Sequence, residues 1–588
     1  MKNIIFLYFF VLVNLPLVFS QSLSYSLLSN GLSAPAFKSG KTDFCLDDIN
    51  MDGHVDILTV GDHGSPSSIT GMRGISVWFG DGNNNFQFSA TGDFGYGSII
   101  VGDINNDGLK DVGYGIHHDY SNTDFGDQIL EVALGDGTGQ NWTAWDDGLA
   151  TNGETWGMSG IDFGDVNNDG LLDLVSISFG AGAGLHVYLN QGDGTWEQSF
   201  GFLNGNAGNR VEFADFNNDG YLDFAATHAY GTTYFGDGTG SFVNNDIGLP
   251  TSGSNQHFVD VATGDVNNDG AAELILSMSS GSVKIYTWSD SDDQWIGFSG
   301  NFPIGGGYHF TALKDMNNDG FNDLVAVRKY DTHVFRGDGT SHWTLETSII
   351  FPETGTPMAF RTGADFDNNG HFDFLVLSEI GTNNNYQNKL YGYKENTTSD
   401  SLWIKLHYPH GGEVFHPFSS RFITWTASVP NNQNSLVNIE YSPFGPDGPW
   451  WLIAQNVPNN GKHQWNIPNY PSDQVYLRLI VKSEESTADT SLSKPFTIFG
   501  EPNYVSHNQL SRQPLLYPNP GSKFIFLNDA EKIRAIKIFD NQGKAVKALD
   551  QVYGNIDVTE LPVGSYLLQI IFKDGTLRNE KWLKTRNH

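Results

Sequence analysis

Short apolar runs recur along the first two thirds of the chain, and each follows a polar stretch rich in Asp, Asn and Gly. Clear examples are Asp56-Ile-Leu-Thr-Val60, Glu273-Leu-Ile-Leu-Ser277 and Asp373-Phe-Leu-Val-Leu-Ser378. Runs of this length, enriched in β-branched and aromatic residues and bounded by turn formers, are typical of buried strands. The pattern predicts many short strands of one repeated type and an all-β fold.

The pattern changes from about Leu402 to Phe499, where the repeat is absent and apolar and polar residues alternate. Phe422-Ile-Thr-Trp425 and Val437-Asn-Ile-Glu-Tyr441 are examples. Alternation of this kind predicts an immunoglobulin-like β-sandwich, although its motifs are generic. Whether this domain is a spacer or a binding module stays open.

The amino terminus has a different apolar pattern. Lys2 precedes a run from Ile4 to Val18, and Val18-Phe19-Ser20 follows before Gln21, which predicts a signal peptide over residues 1–20. No later run is long enough to cross a bilayer, so we expect no membrane insertion. The single cysteine, Cys45, cannot form an internal disulfide, so an exported chain needs another device to hold its loops.

The polar stretches share the form D-x-N-x-D-G-x-x-D, which occurs seven times. The loops begin at Asp48, Asp103, Asp165, Asp215, Asp265, Asp315 and Asp365, with spacings of 55, 62, 50, 50, 50 and 50 residues. We number them loops 1 to 7 and their residues positions 1 to 9. Seven copies in register exclude the reading that each is an ordinary turn.

The predicted ligands are oxygen donors at positions 1, 3, 5 and 9, and position 7, where the residue type varies, completes the set. Position 1 is the Asp that opens each loop. Position 3 is Asn50, Asn105, Asn167, Asn217, Asn267, Asn317 and Asp367; position 5 is Asp52, Asp107, Asp169, Asp219, Asp269, Asp319 and Asn369. Position 7 is His54, Leu109, Leu171, Tyr221, Ala271, Phe321 and His371; position 9 is Asp56, Asp111, Asp173, Asp223, Glu273, Asp323 and Asp373.

An all-oxygen donor set that curls around a glycine at position 6 favours Ca²⁺ over Mg²⁺ or Zn²⁺, and we expect up to seven Ca²⁺ ions. An EF-hand needs Glu at position 12, where this chain has Thr59, Tyr114, Ser176, Ala226, Leu276, Ala326 and Val376. The loops also run into strands rather than helices. The sequence therefore predicts calcium loops between strands.

Charge supports the same prediction. The net charge is −35, and the loops hold 21 of the 67 acidic residues. Seven divalent ions would cancel 14 of those negative charges. The acidic balance also argues against nucleic acid or an anionic membrane as a partner.

The seven loops resemble the FG-GAP or VCBS repeats of integrin alpha-subunit propellers and of many bacterial surface proteins. The resemblance implies a seven-bladed β-propeller over residues 21–398, with each calcium loop joining the first and second strands of a blade. Most repeats also carry a Gly-Asp-Gly turn, as at Gly80-Asp81-Gly82, which should join strands three and four. The last repeat is one strand short, and we expect Tyr25–Leu32 to pair there and close the ring.

The last segment resembles the carboxy-terminal sorting domain of type IX secretion, through Leu516-Tyr-Pro-Asn-Pro520, Ile536-Lys-Ile-Phe-Asp540 and Leu561-Pro-Val-Gly-Ser-Tyr566. The resemblance implies a small β-sandwich over 514–588, a partner in the secretion machinery, and export to the cell surface or medium. The full prediction adds the immunoglobulin-like or fibronectin-like sandwich over 399–500 and a linker over 501–513.

Function is less determined, because no hydrolase, metalloprotease or nucleotide-binding motif has a supportive setting. The face opposite the calcium loops should carry aromatic, imidazole and cationic side chains, as in Arg328-Lys-Tyr330. Three hypotheses stay open: a monomeric adhesion-type module that binds a glycan or protein, a polysaccharide lyase or hydrolase, and a structural spacer. The residues predicted for the lyase are His118, Tyr120, His228, Tyr230 and Arg328.

Overall fold

A computed structural model describes most of the 588-residue chain. The described residues are 23–28, 31–32, 43–60, 74–91, 97–116, 128–151, 158–178, 184–203, 207–228, 231–250, 258–278, 282–298, 306–340, 342–382, 385–483, 488–500, 516–517, 523–527, 532–540, 544–549, 555–573 and 577–584. The predicted signal peptide 1–20 and linker 501–513 lie outside them. The all-β class is confirmed. Within the described ranges no helix is long and apolar enough to span a membrane.

The first 28 strands form seven four-stranded antiparallel sheets, which we call blades 1 to 7. Blades 1 to 3 are β2–β5 (Phe44–Asp47, Asp56–Val60, Ile75–Gly80, Phe86–Thr91), β6–β9 (Gly97–Gly102, Asp111–Ile116, Leu130–Gly135, Trp142–Ala144) and β10–β13 (Met158–Gly164, Asp173–Ser178, Gly184–Asn190, Trp196–Leu203). Blades 4 and 5 are β14–β17 (Ala207–Ala214, Asp223–His228, Thr233–Gly236, Phe242–Asn244) and β18–β21 (Phe258–Gly264, Glu273–Met278, Val283–Ser289, Gln294–Gly297). Blade 6 is β22–β25 (Tyr308–Lys314, Asp323–Arg328, Asp331–Arg336, Thr344–Ile350), and blade 7 is β26–β28 (Thr356–Ala364, Asp373–Thr382, Asn385–Glu395) with β1 (Tyr25–Leu28).

The first strands of the blades form a closed ring. Each contacts the first strand of the next blade, and the series closes where β2 of blade 1 meets β26 of blade 7. This is the arrangement of a β-propeller. The Gly-Asp-Gly turns lie between the third and fourth strands, as at Gly80-Asp81-Gly82 between β4 and β5.

The ring is closed by the amino-terminal strand, as the sequence predicts. Strand β1 pairs antiparallel with β28, with Tyr25 opposite Glu395 and Leu28 opposite Gly392. Leu28 is buried in the core between blades 7 and 1. The pairing covers the edge that β28 would otherwise expose.

The second strands explain the unbroken apolar runs in the sequence. All positions of β3, β7 and β19 are buried. Each blade packs between two neighbours, so both faces of its central strands are covered and alternation disappears.

A second domain, which we call the sandwich, follows the propeller. One sheet contains β29 (Trp403–Tyr408), β31 (Ser420–Ser428) and β34 (Lys462–Asn466). The other contains β30 (Val414–Phe415), β32 (Ser435–Ser442), β33 (Trp451–Pro458), β35 (Ser472–Ser483), β36 (Asp489–Leu492) and β37 (Phe496–Ile498). A 3-10 turn, Pro430–Asn432, joins β31 to β32. Trp425, Trp465 and Phe496 are buried between the sheets.

The last domain also has two sheets. One holds β38 (Leu516–Tyr517), β39 (Phe524–Leu527) and β42 (Asn555–Asp557), and the other holds β40 (Ile533–Phe539), β41 (Ala545–Leu549), β43 (Gly564–Phe572) and β44 (Leu577–Lys584). Their shared core is built around Trp582, Leu568 and Ile536, all fully buried.

Candidate metal loops and the face they form

All seven loops join the first strand of a blade to the second, so they lie together at one end of the ring. Their backbones share two left-handed residues. The position-4 residues have φ between 53° and 61°, and the position-6 glycines have φ between 86° and 97°. A Cβ is unfavourable at such angles, which accounts for glycine at position 6 and for asparagine at position 4 in six loops.

The side-chain oxygens at positions 1 and 3 converge on one point. In loop 1 the amide of Asp52 donates to Oδ1 of Asp48 at 3.0 Å and to Oδ1 of Asn50 at 3.1 Å. Loops 2, 3, 4 and 6 repeat both bonds. The position-5 side chain also bonds within the loop, because its Oδ1 accepts the position-7 amide. In loop 1 the amide of His54 donates to Oδ1 of Asp52 at 2.9 Å. The loop therefore wraps around its own oxygens.

Loop 7 brings three carboxylates especially close. Oxygens of Asp365, Asp367 and Asp373 lie within 4.8 Å of one another, a grouping able to hold a metal ion. The exchange of acid and amide in this loop has a local explanation. Lys394 donates to Asp367 at 2.9 Å, and Asn369 donates to the carbonyl of Glu395 at 2.9 Å.

The position-9 acids connect each loop to two strands. In loop 1, Asp56 Oδ2 accepts the amide of Ile49 at 3.1 Å, and its Oδ1 accepts the amide of Gly80, on the third strand, at 2.8 Å. The equivalent pair of bonds is present in loops 2, 3, 4, 6 and 7. Position 9 is fully buried in every loop. These acids therefore hydrogen-bond to the blade's third strand as well as to their own loop.

The electrostatics of the loops favour a bound cation. Burial, together with the neighbouring Asp48 and Asp52, raises the pKa of Asp56 to about 8. Burial also raises the pKa of Glu273 to about 8 and that of Asp103 to about 7. Buried carboxylates that repel one another need a proton or a cation nearby. An all-oxygen donor set with this excess of negative charge fits Ca²⁺.

The position-4 asparagines connect neighbouring loops, a role that the sequence reasoning missed. Asn106 donates to the carbonyl of Gly170, Asn268 to that of Gly320, and Asn318 to that of Gly370, each at 2.9 Å. Each bond runs from position 4 of one loop to position 6 of the next. The sequence contains a signal for this role, because Asn recurs at position 4 in six of the seven loops.

The sandwich lies on the loop face, which the sequence did not predict. Its contacts reach all seven loops: Asn460 with Asp48, Gln464 with Asp103, Ser420 with Asp165, Val414 with Asn218, Gly412 with Gly270, Lys405 with Asp315, and Val429 with Asn368. The loop face is therefore an interface between the two domains.

The opposite face carries only part of the predicted lyase set. His118, Tyr120 and Tyr230 lie outside the described residues, as does the side chain of His228. Arg328, at the far end of β23, forms a forked ion pair with Asp331. Its Nη2 lies 3.2 Å from Nε2 of His333, and the ring's Nδ1 lies 2.9 Å from the hydroxyl of Tyr308. The described residues do not bring the five predicted side chains together.

The blades and their loops define the class of protein: a β-propeller built from repeated units that each carry an acidic loop. Comparison with protein families then specifies the repeats. A model described as FG-GAP-like repeat matches residues 48–114, 165–226 and 315–376, and a model described as secretion system C-terminal sorting domain matches residues 515–584. The chain carries FG-GAP-like repeats and a type IX sorting domain. It is exported through the outer membrane to the cell surface or medium, which involves the secretion machinery.

No curated protein matches the chain by sequence. Similar solved structures include an Agrocybe aegerita lectin described for specific recognition of non-reducing terminal N-acetylglucosamine. It is 18% identical with a TM-score of 0.38, over 53% of this chain and 81% of the lectin. Another is Saccharomyces cerevisiae Sqt1, 10% identical with a TM-score of 0.37, over 62% of this chain and 99% of Sqt1.

Proposed function

We propose that this exported propeller is a calcium-stabilised binding module, which takes a glycan or a protein on the face opposite the metal loops. One observation carries the proposal: the sandwich contacts all seven loops, so the loop face is already covered. Calcium at that face then has a structural role, and a ligand has the opposite face available.

The described part of the opposite face offers groups suited to recognition. Each second strand begins at its position-9 acid and runs away from the loops, so β23 ends on this face at Arg328. Tyr330 follows it and is 56% exposed, and Lys329 is exposed beside it. An exposed aromatic ring next to cationic side chains suits a sugar ring or an acidic partner surface.

Calcium in the loops would supply the charge that the buried carboxylates require. Positions 1, 3, 5, 7 and 9 would hold each ion, and the chain's own contribution is to keep those oxygens converged. The bonds from position 5 to positions 1 and 3 and from the strands to position 9 support that role. The ions would replace disulfides as the braces of an exported fold.

A glycan array probed with the calcium-loaded chain tests the binding proposal. We expect retention of at least one glycan class and a loss of roughly tenfold or more in affinity for Tyr330→Ala, because exposed aromatic anchors dominate such sites. Val243→Ala is the matched control, since Val243 is 72% exposed on the outer strand of blade 4. Equal binding by both variants would exclude the Tyr330 surface. If the chain retained no glycan, glycan binding would be excluded, and binding of a protein partner and the structural-spacer hypothesis would stay open.

A further inference from the structure

The contacts between the sandwich and the loops depend on the shape of each loop. Asn218 at position 4 donates to the carbonyl of Gly412 at 2.9 Å and accepts the amide of Val414 at 2.9 Å. The carbonyl of Asp219 lies 3.0 Å from Nε2 of His416. The His416 ring stacks on Tyr221, with centroids 4.1 Å apart and planes at 9°. The sandwich therefore contacts four residues of loop 4, namely Asn218, Asp219, Gly220 and Tyr221.

Three of the contacts fall on the same atom of the predicted donor set, Oδ2 of position 1. It accepts the side-chain amide of Asn460 at 3.2 Å in loop 1, the backbone amide of Ser420 at 2.7 Å in loop 3, and the ammonium of Lys405 at 2.6 Å in loop 6. In each case the position-6 amide donates to the same oxygen. The sandwich thus holds position-1 carboxylates in their loop orientation.

The sandwich also substitutes for a link between loops. Where Asn106, Asn268 and Asn318 each bond to the next loop's position-6 carbonyl, Asn218 bonds to Gly412. The position-6 carbonyl of Gly220 is taken by Nη2 of Arg421 at 2.8 Å. In loop 7 the backbone carbonyl of Asn368 accepts a hydrogen bond from the amide of Val429 at 2.8 Å. Segments of the sandwich are thereby built into the ring of loops.

We infer that the sandwich is a cap whose docking is coupled to calcium: the loop conformation that holds the ion is the one the cap binds, so each favours the other. This inference rests on the proposed calcium role. Linkage makes the effect reciprocal, so the cap raises calcium affinity as much as calcium strengthens docking. The cap's residues, above all His416, Ser420 and Asn460, are positioning residues for the metal loops.

Two cationic contacts work against this coupling. Lys405 and Arg421 face loops that contain three carboxylates each, and one divalent ion leaves such a loop with a net negative charge. Calcium therefore weakens these two attractions without abolishing them, and their contribution opposes the coupling. Most of the remaining contacts use neutral amides and carbonyls, which respond to loop shape rather than to charge.

Hydrogen exchange of the full exported chain, measured with excess Ca²⁺ and with excess chelator, tests the coupling. The amides of Val414, Ser420 and Val429 donate to loop atoms, so we expect their segments to exchange at least tenfold faster after chelation. The sandwich core strands, Ser435–Ser442 and Ser472–Ser483, are the internal reference and should keep their protection.

A calcium titration of His416→Ala tests the reciprocal effect. Loss of the Tyr221 stack and the Asp219 contact should lower calcium affinity by roughly threefold to tenfold in a competition assay with a chromophoric chelator. The matched control is His342→Ala, an exposed histidine in the turn after β24, which should titrate like the parent.

The outcomes separate the two proposals. Calcium bound with exchange unchanged on chelation, or His416→Ala equal to the parent, would overturn the coupling and leave the calcium sites standing. Absence of bound calcium by atomic emission would overturn both.

Discussion

Asparagine at position 4 illustrates how one residue serves two demands. Its backbone is left-handed, with φ of 59° at Asn318, and its side chain donates to the next loop at 2.9 Å. Asparagine tolerates this region better than other residues with a Cβ, and its amide reaches a neighbouring carbonyl. The sequence indicated the role of the glycine two residues later but not that of the asparagine.

Substitution at Asn318 should separate those two roles. Asn318→Ala loses the bond to Gly370 and keeps a strained left-handed backbone, so we expect a loss of about 2 kcal/mol in stability. Asn318→Gly loses the same bond without the strain and should cost about 1 kcal/mol. Thermal unfolding in calcium measures both. Equal melting temperatures for the two variants would show that backbone strain contributes nothing here.

Asp219→Ala removes one predicted ligand from loop 4. We expect one fewer calcium ion per chain and a local loss of protection in blade 4, while the other loops keep their ions. Asp237→Ala, in the exposed turn after β16, is the control and should keep the full count. Atomic emission on dialysed protein gives the stoichiometry. The same count in Asp219→Ala and the parent would contradict the ligand assignment.

We expect His410 to make the stability of the sandwich depend on pH. Burial, together with the nearby Lys494 and Lys405, lowers the pKa of His410 to about 4. The unfolded chain therefore takes up the proton first as the pH falls below about 6.5, and stability is lost between there and pH 4. We expect the loss to be on the order of 1–2 kcal/mol after allowance for solvent screening.

His410→Gln should remove that part of the acid sensitivity. Melting temperatures at pH 6.5 and pH 4, both in saturating calcium, give the comparison, and His342→Gln serves as the exposed control. A decline in His410→Gln as steep as in the parent would contradict the assignment.

At the level of elements, strand β1 joins the two ends of the propeller. Leu28 is buried against blade 1, whereas the adjacent Leu27 is 44% exposed. Leu28→Ala should cost about 2–3 kcal/mol through the cavity that it leaves, and Leu27→Ala should change stability by less than about 0.5 kcal/mol. Calorimetry distinguishes them. Equal effects would mean that β1 does not close the ring through its core contacts.

The strands were largely predictable because their signals are local and repeated. The loops placed the first and second strands of every blade, and the Gly-Asp-Gly turns placed the third and fourth in the five repeats that carry them. The missing strand of blade 7 was found by counting, since the last repeat supplies one strand fewer than the four in each of the other blades. Docking of the sandwich was not predictable, because it depends on backbone groups and on single residues such as Ser420 and Val429 that follow no period.

The opposite face was the least predictable part of the site. Its connections differ in length and composition from blade to blade, so no register aligns their side chains. Arg328 illustrates the difficulty: the sequence presents it as a free cation, and the structure pairs it with Asp331 three residues later. Composition alone could not distinguish a structural ion pair from a ligand-binding group.

For the whole molecule, charge and architecture lead to one account. A chain of net charge −35 concentrates 21 carboxylates at one end of the ring and then covers that end with a second domain. Such burial requires protons or cations to accompany the carboxylates, and the proposed Ca²⁺ ions would supply that charge. Under the proposed function, the loops have a structural role and the opposite face is available for recognition.

Thermal unfolding of the exported chain, measured with calcium and again after complete chelation, tests that account most directly. We expect up to seven bound Ca²⁺ ions per chain and a large fall in the melting temperature on chelation, because ligand binding to the folded state is lost. We also expect recovery when calcium, but not magnesium, is restored. A melting temperature unchanged by chelation would contradict that account.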